Sequence, residues 1–202
     1  MDFLTPDASG IRRAARLLRA GEVIGFPTDT VYGLAALAVE ERAVRRVFQV
    51  KGRSLDQPLI LMVARAEQLE AWARVDDRAR GYMRRWWPGP LTLVLLALGD
   101  VGPSLTSTAS TRTIAARIPD HPVALALLRE VGEPLATTSA NRSGQPPAMT
   151  ALETAWVEGL AAVIDAGRAP GGVPSTLLDV SDAEPRILRP GPVPEEALLP
   201  TR

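Results

Sequence analysis

The chain has 202 residues and contains no cysteine, one histidine, one lysine and one asparagine. Without cysteine there is no disulfide framework, no thiolate metal site and no cysteine nucleophile. The lone histidine, His121, removes His-rich metal centres. It stands in Pro119-Asp120-His121-Pro122, where a helix is expected to start, so it reads as a helix-start residue rather than a general base. No apolar run approaches the roughly 18 residues needed to span a bilayer, and no signal-peptide pattern opens the chain. A cytoplasmic protein is therefore expected. Charge of one sign is not in excess either: 23 basic and 23 acidic side chains give a net charge of zero. A dedicated nucleic-acid binder normally carries a basic surplus, because neutralising phosphates drives its affinity. The phosphate loop, the dinucleotide fingerprint, the zinc-protease helix and the serine nucleophile elbow are all missing from the sequence.

The hydrophobic fraction of 46% is that of an ordinary globular chain with a core of its own. One domain over 1–202 is expected, its core about 9–192, with the Pro-rich 193–202 as a surface tail. Helix and strand patterns alternate. Helical spacing runs over 9–21, 40–50, 67–87 (one or two helices), 121–131 and 150–160. Strands are expected at 22–26, 58–63, 91–98, 113–118, 134–138, 163–165 and near Leu177 and Ile187. This alternation predicts an α/β fold, an open twisted sheet flanked by helices, and the back-to-back strands predict that the sheet is mixed.

Five polar stretches interrupt the apolar strands, which is where loops carry chemistry. Phe26-Pro27-Thr28-Asp29-Thr30-Val31-Tyr32-Gly33-Leu34 reads as a turn in which Thr and Asp bond the backbone. The second reading, behind the turn, is two hydroxyls and a phenol offered to a small polar ligand. Lys51-Gly52-Arg53 places two cations past a helix end, either complementing the helix dipole or reaching a phosphate chain. Thr137 to Gly144 holds Ser139 and Asn141, which suit an anion-binding nest or plain turn chemistry. Pro174-Ser175-Thr176 and Leu188-Arg189-Pro190-Gly191 add a hydroxyl pair and another arginine.

Together these stretches resemble the YrdC/TsaC family, the threonylcarbamoyl-AMP synthases, from about Gly21 to Pro192. Phe26 to Leu34 is similar to that family's P-T-D/E-T-x-Y-G-L, and Lys51-Gly52-Arg53 to its K-x-R. Trp87 to Thr92 is similar to W-P-G-P-L-T, and Thr113 to Pro119 to T-x-x-x-R-x-P. Thr138 to Gly144 is similar to [ST]-S-A-N-x-S-G. Ser54 and Gln57 depart from the family pattern after K-x-R.

The resemblance implies an open α/β sheet with a concave basic cleft. It implies formation of L-threonylcarbamoyladenylate and pyrophosphate from L-threonine, bicarbonate or CO2 and ATP. Downstream transfer proteins would then pass the threonylcarbamoyl group to adenosine 37 of tRNA, the t6A modification. By position, Lys51, Arg53, Thr113, Ser139, Asn141 and Arg189 would face ATP, with Lys51 and Arg53 as the catalytic pair. Thr30, Tyr32, Arg117 and Ser175 would face threonine, Arg117 meeting its carboxylate. Mg2+ would come with ATP rather than sit in a protein-built site. The short chain would lack the second domain of longer relatives. Alternatives are a YciO-like paralogue, the related domain of hydrogenase-maturation proteins, and a binding module of this fold that contacts tRNA through its cleft.

Overall fold

The computed structural model describes residues 1–52, 57–99, 101–107, 111–142 and 144–199. Its elements are β1 (Asp2–Leu4), α1 (Ala8–Arg19), β2 (Ile24–Phe26), β3 (Gly33–Leu37), α2 (Glu41–Lys51), β4 (Ile60–Met62) and α3 (Asp77–Trp86). They continue with β5 (Leu91–Leu96), β6 (Thr113–Arg117), α4 (Pro122–Val131), β7 (Leu135–Ser139), β8 (Ala162–Ile164), β9 (Thr176–Asp179) and β10 (Arg186–Arg189). Among the described residues all ten strands join one sheet in the order β1-β8-β2-β3-β7-β4-β6-β5-β9-β10. Four neighbouring pairs are parallel and the rest antiparallel, so the sheet is mixed, as the strand spacing predicts.

The helices form where apolar side chains recur at helical spacing and the ends are capped. In α1 the buried face is Ile11, Ala14, Ala15 and Leu18, and the Asp7 carboxylate accepts from the Ser9 and Gly10 amides. Those amides and the Thr5 hydroxyl hold the exposed Asp7 carboxyl at a pKa of about 2. Helix α2 buries Ala43, Val44, Val47 and Phe48 and ends at Gly52, whose φ of 63° is left-handed. Helices α2 and α3 pack on one face of the sheet with Leu61, Ala116 and Ala136. Helices α1 and α4 pack on the other, over Ala35, Leu37, Met62 and Leu135.

Two expectations change, and the choice between one helix and two over 67–87 is settled. The 150–160 segment forms only a short 3-10 turn, Leu152–Thr154, with further turns after it. Ala151, Thr154, Val157 and Leu160 are its buried residues, a period of three that suits 3-10 geometry rather than an α-helix. The 67–87 stretch splits into a 3-10 turn, Ala66–Ala71, and α3, because the Asp76 side chain caps a new helix at the Ala79 amide. The 193–199 part of the expected surface tail is anchored. Val193 and Leu198 are buried, Thr176 Oγ1 and the Val193 backbone bond each other, and the Tyr82 hydroxyl donates to the Leu198 carbonyl. Strands β1 and β3 are additional to those expected.

Register positions the site. Ile60 lies opposite Thr137 on one side and Ala115 on the other, and Gly33 lies opposite Ser139. Because side chains alternate across a strand, Thr137, Ser139, Ile60, Met62, Thr113 and Arg117 all point to the face that α1 and α4 partly cover.

Candidate active site

Where that face emerges from beneath the helices, it floors a pocket with a cavity volume of about 80 Å³. Ile60, Met62 and Thr137 form the floor, and Thr28, Thr30, Val31 and Pro174 contribute to the wall. Four expected site residues, Thr30, Arg117, Ser139 and Ser175, meet here with a fifth, Arg189, although they come from five separate stretches of chain.

Arg117 ends β6 and is only 2% exposed. Its Nε donates to the Gly89 carbonyl at 2.8 Å and its Nη1 to Thr30 Oγ1 at 3.1 Å. Its Nη2 lies 2.6 Å from both carboxylate oxygens of Asp29. Burial pushes the Arg117 pKa down, while the Asp29 charge and hydrogen bonds push it back up. A guanidinium stays protonated regardless, so the pair is an internal neutral unit. The partner expected for Arg117 was a substrate carboxylate; in the structure the fork is already held by Asp29.

Arg189, the last residue of β10, donates from Nε and Nη2 to the Ser175 carbonyl, at 3.1 and 2.9 Å, and from Nη2 to Ser175 Oγ at 3.2 Å. Burial lowers its pKa also, and among the described residues no carboxylate pairs with it. Ser175 Oγ is in turn 2.7 Å from the fully buried Thr92 hydroxyl, which fixes its rotamer.

Lys51 enters from the other side, at the last turn of α2, where a cation complements the helix dipole. Its Nζ donates to Thr138 Oγ1 at 2.8 Å, to the Ser139 carbonyl at 2.6 Å, to Ser139 Oγ at 3.2 Å and to Asn141 Oδ1 at 3.1 Å. Ser139 Oγ also donates to Asn141 Oδ1, at 2.6 Å, and the Asn141 amide nitrogen closes the turn on the Arg142 and Gln145 carbonyls. Lys51 is 6% exposed, and its ammonium is clamped to the end of β7 and the loop after it, not a loose charge.

Two expected residues fall elsewhere. Tyr32 is fully buried, its hydroxyl donating to the Gly167 carbonyl and accepting from the Ala166 amide, and burial pushes its pKa up. It ties the pocket wall to the 166–172 loop and does not line the pocket. Thr113 starts β6 at the end opposite Arg117, about 13 Å away at the usual rise per residue, with its hydroxyl donating to Ser107 Oγ. Arg53 and Ser54 lie outside the described residues, as does Ser143 of the Asn141 stretch. Asp29 was read only as a turn former. The signal available for Asp29 was a carboxylate placed between two hydroxyls at a strand end.

Among the described residues no group of three or more His, Asp or Glu could hold a metal ion, and no helix is long and apolar enough to cross a membrane.

This fold and site define a class: α/β proteins with a wide mixed sheet whose polar loops converge on one small pocket. The chain matches the sequence model of the Sua5/YciO/YrdC family, described as telomere recombination, over residues 16–191, and it belongs to that family. It is 43% identical over 201 residues to the threonylcarbamoyl-AMP synthase of Bacillus subtilis, covering 98% of this chain and 58% of that one. It is 42% identical over 191 residues to the threonylcarbamoyl-AMP synthase of Pyrococcus abyssi, covering 93% and 56%. The chain thus spans under two thirds of the length of these relatives. Among solved structures, P. abyssi Sua5 complexed with L-threonine superposes with a TM-score of 0.91 at 40% identity, covering 98% of this chain and 59% of that one. Escherichia coli YciO superposes with a TM-score of 0.87 at 26% identity, covering 98% of both.

Proposed function

We propose that the chain catalyses formation of L-threonylcarbamoyladenylate and pyrophosphate from L-threonine, bicarbonate or CO2 and ATP. The product would go to cytoplasmic transfer proteins for t6A modification of tRNA. The observation that carries this reading is the convergence of Thr30, Arg117, Ser139, Ser175 and Arg189 on one pocket whose rim is bonded to Lys51. The relatives' names and the threonine-bound solved structure support it.

The chemistry asks for alignment and charge neutralisation more than covalent help. The threonine amine attacks CO2 to give a carbamate; a carbamate oxygen attacks the α-phosphorus of ATP, and pyrophosphate leaves. A cavity of this size accepts part of an amino acid and leaves the nucleotide to the open rim. There Lys51, with Ser139 and Asn141, would meet the phosphates, joined by Arg53 and, further along β6, Thr113. To do so the ammonium exchanges one of its loop acceptors for a phosphate oxygen, so triphosphate binding and the loop after β7 are coupled. Arg189 supplies positive charge at the pocket itself, and with Lys51 it would give the cleft its basic character. Mg2+ would ride on the phosphate oxygens, since the pocket lining offers hydroxyls and no carboxylate.

The test is pyrophosphate release from Mg2+-ATP with L-threonine and bicarbonate omitted in turn. Release needs both, and Lys51→Ala lowers it roughly 100-fold or more, the scale of losing one charge-stabilising group. Threonine-independent release would sink the reading and favour the YciO-like alternative. Tight, salt-sensitive tRNA binding without release would favour the RNA-binding module.

A further inference from the structure

Strand β5, Leu91-Thr92-Leu93-Val94-Leu95-Leu96, holds a single polar side chain, and Thr92 is fully buried. A valine would fill the same shape there with no hydroxyl to satisfy. Among the described residues the Thr92 hydroxyl has one partner, Ser175 Oγ at 2.7 Å, and either oxygen could donate. The surroundings decide which does. Ser175 Oγ also accepts from Arg189 Nη2 at 3.2 Å. If Ser175 donated to Thr92, the Thr92 proton would be left without an acceptor at a residue that does not line the pocket. A buried donor left unmatched is costly. If Thr92 donates instead, the two lone pairs of Ser175 Oγ are filled, one by Thr92 and one by Arg189. The Ser175 proton is then free to face the pocket, which Ser175 lines. The Ser175 backbone is fixed as well: Arg189 Nε and Nη2 hold its carbonyl, and the Thr176 amide donates to the Pro90 carbonyl. Only the direction of one O–H bond remains open, and Thr92 sets it.

We infer that Thr92 is a positioning residue that makes the Ser175 hydroxyl a proton donor aimed into the pocket. Thr92 acts only through Ser175. Arg189 Nη1, too, has no acceptor among the described residues. The corner formed by Ser175 and Arg189 therefore offers protons and positive charge and no lone pair. It suits an oxygen that only accepts, an anionic oxygen of a carboxylate, carbamate or phosphate. The inference rests on the proposed synthase reading for which of these oxygens arrives there, whereas the direction of the hydroxyl follows from the hydrogen-bond count alone.

The experiment measures kcat and the KM values for L-threonine, bicarbonate and Mg2+-ATP in wild type, Thr92→Val, Thr92→Ser, Ser175→Ala and the double variant Thr92→Val/Ser175→Ala, with thermal melting as the folding control. Thr92→Val keeps the shape and loses the donor, and should lower kcat/KM roughly 10-fold, the scale of one misdirected buried hydrogen bond. Thr92→Ser keeps the donor and should hold most of the wild-type value. In the Ser175→Ala background the valine substitution should change turnover less than about 2-fold, because the group it positions is gone. The constant that moves identifies the oxygen: the threonine KM for its carboxylate, the ATP KM for a phosphate, the bicarbonate KM or kcat for the carbamate. Wild-type protein carries a test that needs no turnover: by NMR, the Thr92 hydroxyl proton should exchange slowly with water and the Ser175 hydroxyl proton rapidly. Equal losses from Thr92→Val in both backgrounds, an unchanged kcat/KM in folded Thr92→Val, or the reverse order of exchange overturns the inference. Absence of threonine-dependent turnover in wild type would instead count against the synthase reading, and the exchange measurement separates the two.

Discussion

The imidazole of His121 precedes α4 without capping it, and its buried Nδ1 has no hydrogen-bond partner among the described residues. Burial holds its pKa below the ordinary 6.5, against the opposing pull of Asp29 and Asp120. The unfolded chain therefore takes up this proton at a higher pH than the folded one. Between the unfolded value near 6.5 and the lower folded value, the unfolded state binds more protons, so stability rises with pH across that window. The contribution is fully present above 6.5 and is lost as pH falls through the folded value. Urea denaturation at pH 7.5 and 5.5 should show the wild type weaker at the acid end. His121→Gln should remove part of that difference; an identical pH dependence in the variant would rule His121 out as its source. At this same scale Arg117, which lines the pocket, was legible as a candidate, but its partner was not, because a bond between residues 29 and 117 leaves no trace in either local stretch.

Among the elements, the pocket wall is held by loops rather than by the strands that end in them. The Gly172 amide donates to the Thr30 carbonyl at 2.7 Å, and the Tyr32 hydroxyl bridges to Gly167 and Ala166. Gly171 lies so close that an added Cβ would sit 2.7 Å from the Asp29 carbonyl oxygen and 2.8 Å from Thr30 Cα. Both neighbours are backbone, so they cannot swing aside. Gly171→Ala should cost about 1–3 kcal/mol in chemical denaturation, the usual range for overpacking, and raise the KM for L-threonine because Thr30 shifts. A variant of unchanged stability would show that the loop yields there. Elements with strong helical spacing and caps, such as α1 and α4, were readable in advance. Strand β3, Gly-Leu-Ala-Ala-Leu, was not, since it is buried throughout and has neither alternation nor β-branched residues. The 151–160 stretch misled because a period of three over ten residues is close to the helical 3.6.

For the whole molecule, the site is a junction of distant chain segments: the 28–33 loop, the end of α2, β6, the end of β7 and the β9–β10 hairpin. A ligand that binds only this assembled arrangement stabilises the fold as a unit. Saturating L-threonine with Mg2+-ATP should raise the melting temperature, by the equivalent of about 2.7 kcal/mol at one hundred times the dissociation constant. Lys51→Ala should blunt the ATP part of that shift, and no shift with either ligand would argue against a preformed site. The sequence by itself determined the α/β class, the mixed sheet and most of the polar residues that meet in the pocket, because periodicity, capping and turn chemistry are local properties. Only the tertiary structure decided which of them touch. Sheet order sets β4 between β6 and β7, the register turns Arg117, Thr137 and Ser139 to one face, and the pairing of Arg117 with Asp29 leaves Arg189 as the pocket's uncompensated charge among the described residues. Those are contacts between residues far apart in the chain, fixed by packing and hydrogen-bond geometry rather than by any neighbouring stretch.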